Sequence, residues 1–367
     1  MKYKLTCLTP TLIGDGQRLA PIDYMVWKDH VNVLDQRRIF KLLSKGPRLE
    51  GYLLQLKKAE RLDFASWGGF AQNFAGRRIP FEHSSSIALW EKAKPEQLFI
   101  PTFAMSPAGP FVPGTAIKGA LRTGVVHDRW SEATVRDLAN RLANDDRPPR
   151  NPALRAEESV LGGGGTNRMR RVSAADSASG THQGMRVFLI RVATLVSKSA
   201  DKFDIGWKAG RQSVESRRIE DSTPMFVEMA TAGTSFEGAW QEKSQGDRAK
   251  IFNAANKFAA AQLARHKQYA EAGGLSVLGE TIGKLEAKLE EIARGQNACL
   301  VSIGWGGGLV GKSSYLETTD ESYRQILRTD SFYQSALRTG MPFPKTRKVI
   351  FEGGKPSSLP GWVLIEV

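Results

Sequence analysis

Short apolar runs separated by turn residues open the chain. Tyr3 to Leu8 reads as a strand, and the turn-rich stretch Thr9 to Gly16 follows it. Ile22 to Trp27 and Val31 to Leu34 then read as two short strands joined at Lys28-Asp-His, with Asp35 placed to cap a helix through Leu43. The pattern turns helical from Leu49 to Leu62 and aromatic through Trp67, Phe70, Phe74 and Phe81, where the spacing of Phe70 and Phe74 suits a buried helix face. Core packing and base stacking both remain open for these rings. Prolines and glycine make Ile100 to Val112 extended or looped, a helix follows toward Trp130, and another runs from Ser131 to Asn144 until Asp145-Asp-Arg-Pro-Pro-Arg ends it. Beyond a run of four glycines, Met185 to Val196 and Met225 to Ala230 read as strands. Arg248 to Ala270 and Leu275 to Ile292 carry helical spacing split at Gly273-Gly274, which predicts a helical hairpin. Ala298 to Ile303 reads as a strand, and no repeat period is evident.

Composition changes this picture in one respect. At 367 residues, with 41% hydrophobic and 25% charged residues, the chain has the make-up of a soluble globular protein of two domains. Its net charge of +14, however, has a polyanion partner as its leading explanation, because so unbalanced a charge repels itself; a generally basic proteome or a solubility device fits the same count. Two cysteines, Cys7 and Cys299, exclude a disulfide framework and a thiolate metal cluster and fit a reducing cytoplasm. No apolar run reaches membrane-spanning length and the start lacks a signal-peptide pattern, so a cytoplasmic protein is expected. The five histidines show no paired ligand spacing, and no catalytic triad can be assembled, so neither a metal nor any other cofactor is expected.

The candidate chemistry lies in three stretches. Pro113-Gly-Thr-Ala-Ile-Lys-Gly-Ala-Leu-Arg122 delivers small residues and then Lys118 and Arg122, four apart, onto one face of a starting helix, with Thr115 at the cap. Helix-start N–H groups and two cations, with no acid nearby, make an anion site. An ordinary loop-to-helix junction with solvated cations fits the same residues. Gly162 to Gly165 lead into Arg168, Arg170 and Arg171, a mobile basic loop able to close over a nucleic-acid strand; a disordered surface loop fits the same residues equally. Lys208, Arg211, Arg217 and Arg218 form a second basic stretch. Finally, Gly306-Gly-Gly-Leu-Val-Gly-Lys312-Ser313 satisfies the phosphate-loop pattern of nucleotide triphosphatases, yet no later apolar strand ends in the aspartate that would hold magnesium.

Four stretches resemble the repeat-associated mysterious proteins, the RNA-binding subunits of CRISPR effector complexes. Pro113 to Arg122 is similar to their Pro-Gly-Ser-Ser-[Ile/Leu]-Lys-Gly-Ala-[Ile/Leu]-Arg signature, although Thr115-Ala116 replaces the usual Ser-Ser. Met169-Arg-Arg-Val-Ser-Ala-Ala-Asp-Ser177 resembles the strand after the signature helix, and Ile303-Gly-Trp-Gly-Gly-Gly308 the glycine-rich loop near the C-terminus. Pro344-Lys-Thr-Arg-Lys348, a turn at Gly353-Gly354 and Leu359-Pro-Gly-Trp-Val363 resemble the ending of the fifth Csm-type subunit of type III-A complexes. The opening, with Pro21-Ile-Asp-Tyr24 after its glycine loop, is similar to the first ferredoxin-like domain, and Gly233 to Gly238 to a turn of the second.

This resemblance implies an α+β protein of two ferredoxin-like (RRM-like) domains with helical insertions and glycine-rich loops, divided as residues 1–180 and 181–367. It implies a structural, non-catalytic subunit that caps the backbone filament over the 3′ part of the CRISPR guide RNA and supports guide maturation and antiviral defence. The partners it implies are that guide RNA, neighbouring Csm-type backbone and small subunits, and target RNA. RNA contacts are expected at Gly14, Gly16, Thr115, Lys118, Arg122, Arg168, Arg170, Arg171, Gly306, Gly307, Gly308, Lys312 and Lys345. Two alternatives are enzymes. Related backbone subunits use an aspartate in the Ile-Asp context of Asp23 to cut target RNA with metal help, and Lys312 would serve a nucleotidase.

Overall fold

Two antiparallel sheets carry the fold, and the first is assembled from both ends of the chain. The computed structural model describes residues 1–58, 62, 73–144, 154–199, 202–210, 214–334, 337 and 341–367. In chain order come β1 (Lys2–Cys7), the hairpin β2 (Tyr24–Trp27) and β3 (His30–Leu34), helices α1 (Gln36–Leu43) and α2 (Arg48–Lys58), β4 (Ala75–Pro80) and α3 (Ser85–Lys92). Helices α4 (Gly114–His127), α5 (Glu132–Asn144) and α6 (Leu154–Leu161) lead to β5 (Val172–Ser177), β6 (Met185–Ser197), β7 (Phe203–Ala209), β8 (Val214–Ser216) and β9 (Met225–Ala230). Then follow β10 (Ser235–Glu242), the helical hairpin α7 (Asp247–Ala272) and α8 (Ser276–Ala293), β11 (Ala298–Ser302) and the one-turn helix α9 (Gly308–Lys312). Strands β12 (Thr346–Glu352), β13 (Lys355–Ser358) and β14 (Trp362–Glu366) close the chain.

These elements follow the apolar pattern closely. Asp35 accepts the Arg38 N–H at 3.1 Å and caps α1, while the β2–β3 turn falls at Lys28 in a left-handed conformation. Alternation in β1 buries Tyr3, Leu5 and Cys7 on one face, and β6 is buried along most of its length on both. Trp67, Phe70, Arg211 and the end of α5 at Asp145 to Arg150 lie outside the described residues. Phe74 packs against the small cluster of Ile39, Leu43 and Tyr52.

The first sheet runs β11–β14–β1–β10–β5, and the second runs β8–β7–β6–β12–β13 with β9 also on β6. Two expectations change here. A boundary at residue 180 does not separate the sheets, because β10, β11 and β14 lie beyond it and pair with β1 and with each other. Gly233 to Gly238, expected in the second half, leads into β10 and so belongs to the first sheet, where Leu5 pairs with Phe236 on one side and Ile365 on the other. Helices α4 and α7 pack on this sheet and on each other. They touch where a Cβ on Gly124 would stand 2.8 Å from the Ala255 Cα, so glycine sets their close approach. The chain is thus a mixed α/β fold of antiparallel sheets with helical insertions. No helix among the described residues is long and apolar enough to cross a membrane.

Candidate nucleic-acid interface

Helix α4 begins differently from the sequence expectation. Pro113, not Thr115, is its N-cap, and the Gly114 N–H donates to the Asp176 carboxylate of β5 at 2.8 Å. An acid therefore already occupies the helix start that was expected to be free of one. A Cβ on Gly114 would stand 2.1 Å from the Ala174 carbonyl oxygen, so the glycine serves to dock α4 on β5. Thr115 is exposed inside the first turn, and Arg122 is committed to Glu157. Lys118 keeps a half-buried position with no ion-pair partner among the described residues.

The glycine loops, by contrast, come together. Trp305 donates its N–H to the Leu12 carbonyl at 2.8 Å, Ile303 to Gly361 at 2.8 Å, and Gly361 to Pro10 at 3.1 Å. Glycine is required at two of these junctions: Gly304 has φ +78° and its Cβ would lie 2.1 Å from the Leu12 oxygen, and Gly306 has φ +103° and would strike Pro360 at 2.4 Å. This seam ties the residues just before the exposed Gly14 to Gly16 turn to those just before the Gly306 to Gly308 loop. The N–H groups of Gly306 and Gly307 have no acceptor among the described residues.

The same geometry disposes of the phosphate-loop pattern. In a nucleotide triphosphatase the Gly-Lys-Ser starts a long helix after a parallel strand, so that its N–H groups converge on the phosphates. Here Gly311-Lys312 ends a one-turn helix, Ser313 is extended (φ −79°, ψ 125°), and the preceding β11 is antiparallel to its neighbour. Asp23, the other alternative, accepts the Ala20 N–H at 2.7 Å and closes its own turn. No group of three His, Cys, Asp or Glu side chains able to hold a metal occurs among the described residues.

Cations gather on one side of the glycine loop. Lys312 is exposed, and Lys348 lies with its ammonium 4.9 Å from the Trp305 ring centroid. Burial first, and the nearby Lys312 second, hold Lys348 below the usual lysine range. Beneath them Arg347 is buried with no carboxylate partner among the described residues: Nε donates to His266 Nδ1 at 3.0 Å, Nη1 donates to the Pro344 and Thr346 carbonyls, and the Tyr269 ring lies at 4.5 Å. Burial pushes this guanidinium down to about 10. A narrow cleft of about 70 Å³ separates Gly306 to Gly308 from Arg347 and Lys348. The other expected cations are placed elsewhere. Lys345 pairs with Glu215 at 3.1 Å, and Arg168, Arg170 and Arg171 sit on a short 3-10 turn fixed by the buried Met169, with Arg171 bonded to Asp247 at 3.1 Å.

Fully buried and facing Arg347, His266 is held neutral, well below its ordinary pKa, by burial and then by the guanidinium. Its unfolded-state pKa is the higher one, so the unfolded chain binds the extra proton and stability falls as pH drops below about 6.5. We expect acidification from about pH 7.5 to 5.5 to lower the melting temperature, at up to about 1.4 kcal/mol per pH unit below 6.5. His266→Gln, which keeps an acceptor but cannot titrate, should flatten that slope in a pH series of thermal melts. An unchanged slope would refute the assignment.

Gly304, Trp305, Arg347 and Lys348 escaped the sequence reading as site residues. Alternation could have found the last two, since β12 buries Arg347 and leaves Lys348 half-exposed. No local signal reports that Gly304 meets Leu12.

The sequence model of the RAMP superfamily matches residues 4–255. A chain of a cryo-EM Csm–crRNA–target RNA ternary complex of a type III-A CRISPR-Cas system is 16% identical and superposes with a TM-score of 0.67, covering 100% of both chains. The crystal structure of T. onnurineus Csm5 is 15% identical, with a TM-score of 0.57 over 98% of this chain and 99% of that one. Among curated proteins none matches significantly.

Proposed function

Because the chain belongs to the RAMP superfamily, we propose that it is a non-catalytic, guide-RNA-binding subunit of a type III-A CRISPR effector complex. The observation that carries this reading is the buried Arg347 beside the Gly306–Gly308 loop. A buried guanidinium without a carboxylate is costly, and the cleft between it, Lys348 and the loop is where an RNA phosphate would compensate it. Unpaired N–H groups of Gly306 and Gly307 add donors without base selectivity. The end-to-end similarity to a Csm-complex chain and to Csm5 supports a place at the end of the backbone filament, with Csm-type subunits as neighbours and target RNA within reach. In this reading the first sheet with α4 and α7 is the ferredoxin-like half, and the second sheet is its altered counterpart.

Single-stranded RNA should bind the purified protein with little sequence preference. Its log affinity should fall with log salt by about 0.7 per phosphate contact. Lys312→Ala combined with Lys348→Ala should flatten that slope by about 1.4 and weaken binding about tenfold to a hundredfold. A salt-insensitive affinity, or a double variant that binds like the wild type, would remove the glycine loop from the interface.

A further inference from the structure

A sizeable cavity lies away from the Gly306 to Gly308 loop. About 580 Å³ in volume, it opens where α4 and α7 diverge beyond the Gly124–Ala255 crossing. The end of α6 and the following glycine turn close its side. Gly162, at φ +86°, donates its N–H to Glu158 and could carry no Cβ without reaching within 2.9 Å of the Thr166 oxygen. Of the glycine run that reads as a mobile loop, Gly162 is therefore built into the wall, while Gly163 to Gly165 stay exposed. Buried Met169 anchors the next turn, which leaves Arg168 and Arg171 on the rim.

Floor and rim differ in chemistry. Val125, Leu161, Ile251 and Ala254 give an aliphatic floor, while Arg129, Arg168, Arg171 and Lys250 stand around it. Two carboxylates share the lining, and both are already matched: Asp247 by Arg171 at 3.1 Å and Asp128 by Lys257 at 2.6 Å. Arg129, Arg168 and Lys250 are left with no ion-pair partner among the described residues. Three unmatched cations over an apolar floor repel one another until an anion enters, and the volume lies within the ~300–1,000 Å³ of ligand clefts. An inorganic phosphate would leave the floor uncovered.

We propose that this cavity is a second site, which takes one nucleoside monophosphate unit, its phosphate on Arg129, Arg168 and Lys250 and its base on the aliphatic floor. The site is independent of the glycine-loop interface and does not rest on it. Its occupant is a free nucleotide or the terminal nucleotide of an RNA, which share this chemistry.

The test is calorimetric titration of the full-length protein with AMP, UMP and inorganic phosphate, and of RNA oligonucleotides with and without a terminal phosphate. Saturable binding of AMP or UMP is expected. It should weaken about tenfold in Arg129→Ala combined with Lys250→Ala, with an unchanged melting temperature, and persist in Lys312→Ala. A terminal-nucleotide occupant adds the same loss for the phosphorylated oligonucleotide and competition by AMP. A free-nucleotide occupant leaves oligonucleotide binding indifferent to both. The proposal is overturned if no mononucleotide binds saturably, if inorganic phosphate binds as tightly as AMP, or if the double variant binds like the wild type. A failure here leaves the Lys312 and Lys348 effects on RNA intact, so the two readings fall separately.

Discussion

Residues 1–180 expressed alone are expected to remain unfolded, and residues 181–367 likewise. The cause is the position of β1. Both of its neighbours come from beyond residue 180, β10 through the register Lys2↔Ala239 to Thr6↔Ser235 and β14 through Lys4↔Glu366 to Cys7↔Val363. Cutting the chain strips both hydrogen-bond ladders from β1 and uncovers Tyr3, Leu5 and Cys7, each at most 1% exposed in the whole protein. Burial of one large apolar side chain is worth about 1.5–3 kcal/mol, against about 5–15 kcal/mol for a whole domain. The second fragment keeps β10 and β14 but loses the strand between them, so that Trp240, Phe236 and Ile365 lose their lid. Circular dichroism and thermal melts of the two pieces, separately and mixed, check this. A cooperative melt from residues 1–180 alone would show that the first sheet closes without its C-terminal strands.

Gly304→Ala carries the second large effect, one in which stability and RNA binding fall together. A methyl group there would stand 2.1 Å from the Leu12 carbonyl oxygen, which also accepts the Trp305 N–H at 2.8 Å. Both sides of that contact are backbone, so no side chain can swing away, and φ +78° adds about 1–2 kcal/mol for any L-residue. The seam must open, at a cost of about 3 kcal/mol or more. Opening it parts Leu12 from Trp305 and shifts Trp305 from Lys348, so RNA affinity should drop more than in Lys312→Ala. Gly308→Ala is the matched control for stability, with φ +61° and nothing within 4 Å of its Cβ, and its melt should show the backbone penalty alone. Calorimetric melts and RNA titrations on the two variants make the comparison. Equal melting temperatures for Gly304→Ala and wild type would refute the close approach.

Much of this protein is determined by sequence alone. Local periodicity is set by neighbours within a few residues, so the β2–β3 hairpin, the Asp35 cap, α4, the helical hairpin split at Gly273-Gly274, and β11 are legible in the one-dimensional pattern. The family is legible too, because the stretch Pro113 to Arg122 carries a fixed order of small and basic residues, and the superfamily match over residues 4–255 agrees with it. Tertiary structure alone decided which strands share a sheet, since the alternation of β10 and the unbroken buried run of β14 specify burial but not a partner hundreds of residues away. It also decided which cations are free. Arg122 and Lys345 look like Lys118 and Lys312 in the sequence, but Glu157 and Glu215 reach the first two across the fold, while the others have no ion-pair partner among the described residues. The phosphate-loop pattern yields to the same cause: eight residues set its composition, while the antiparallel sheet around β11 sets its conformation and turns its lysine from the start of a helix to the end of one.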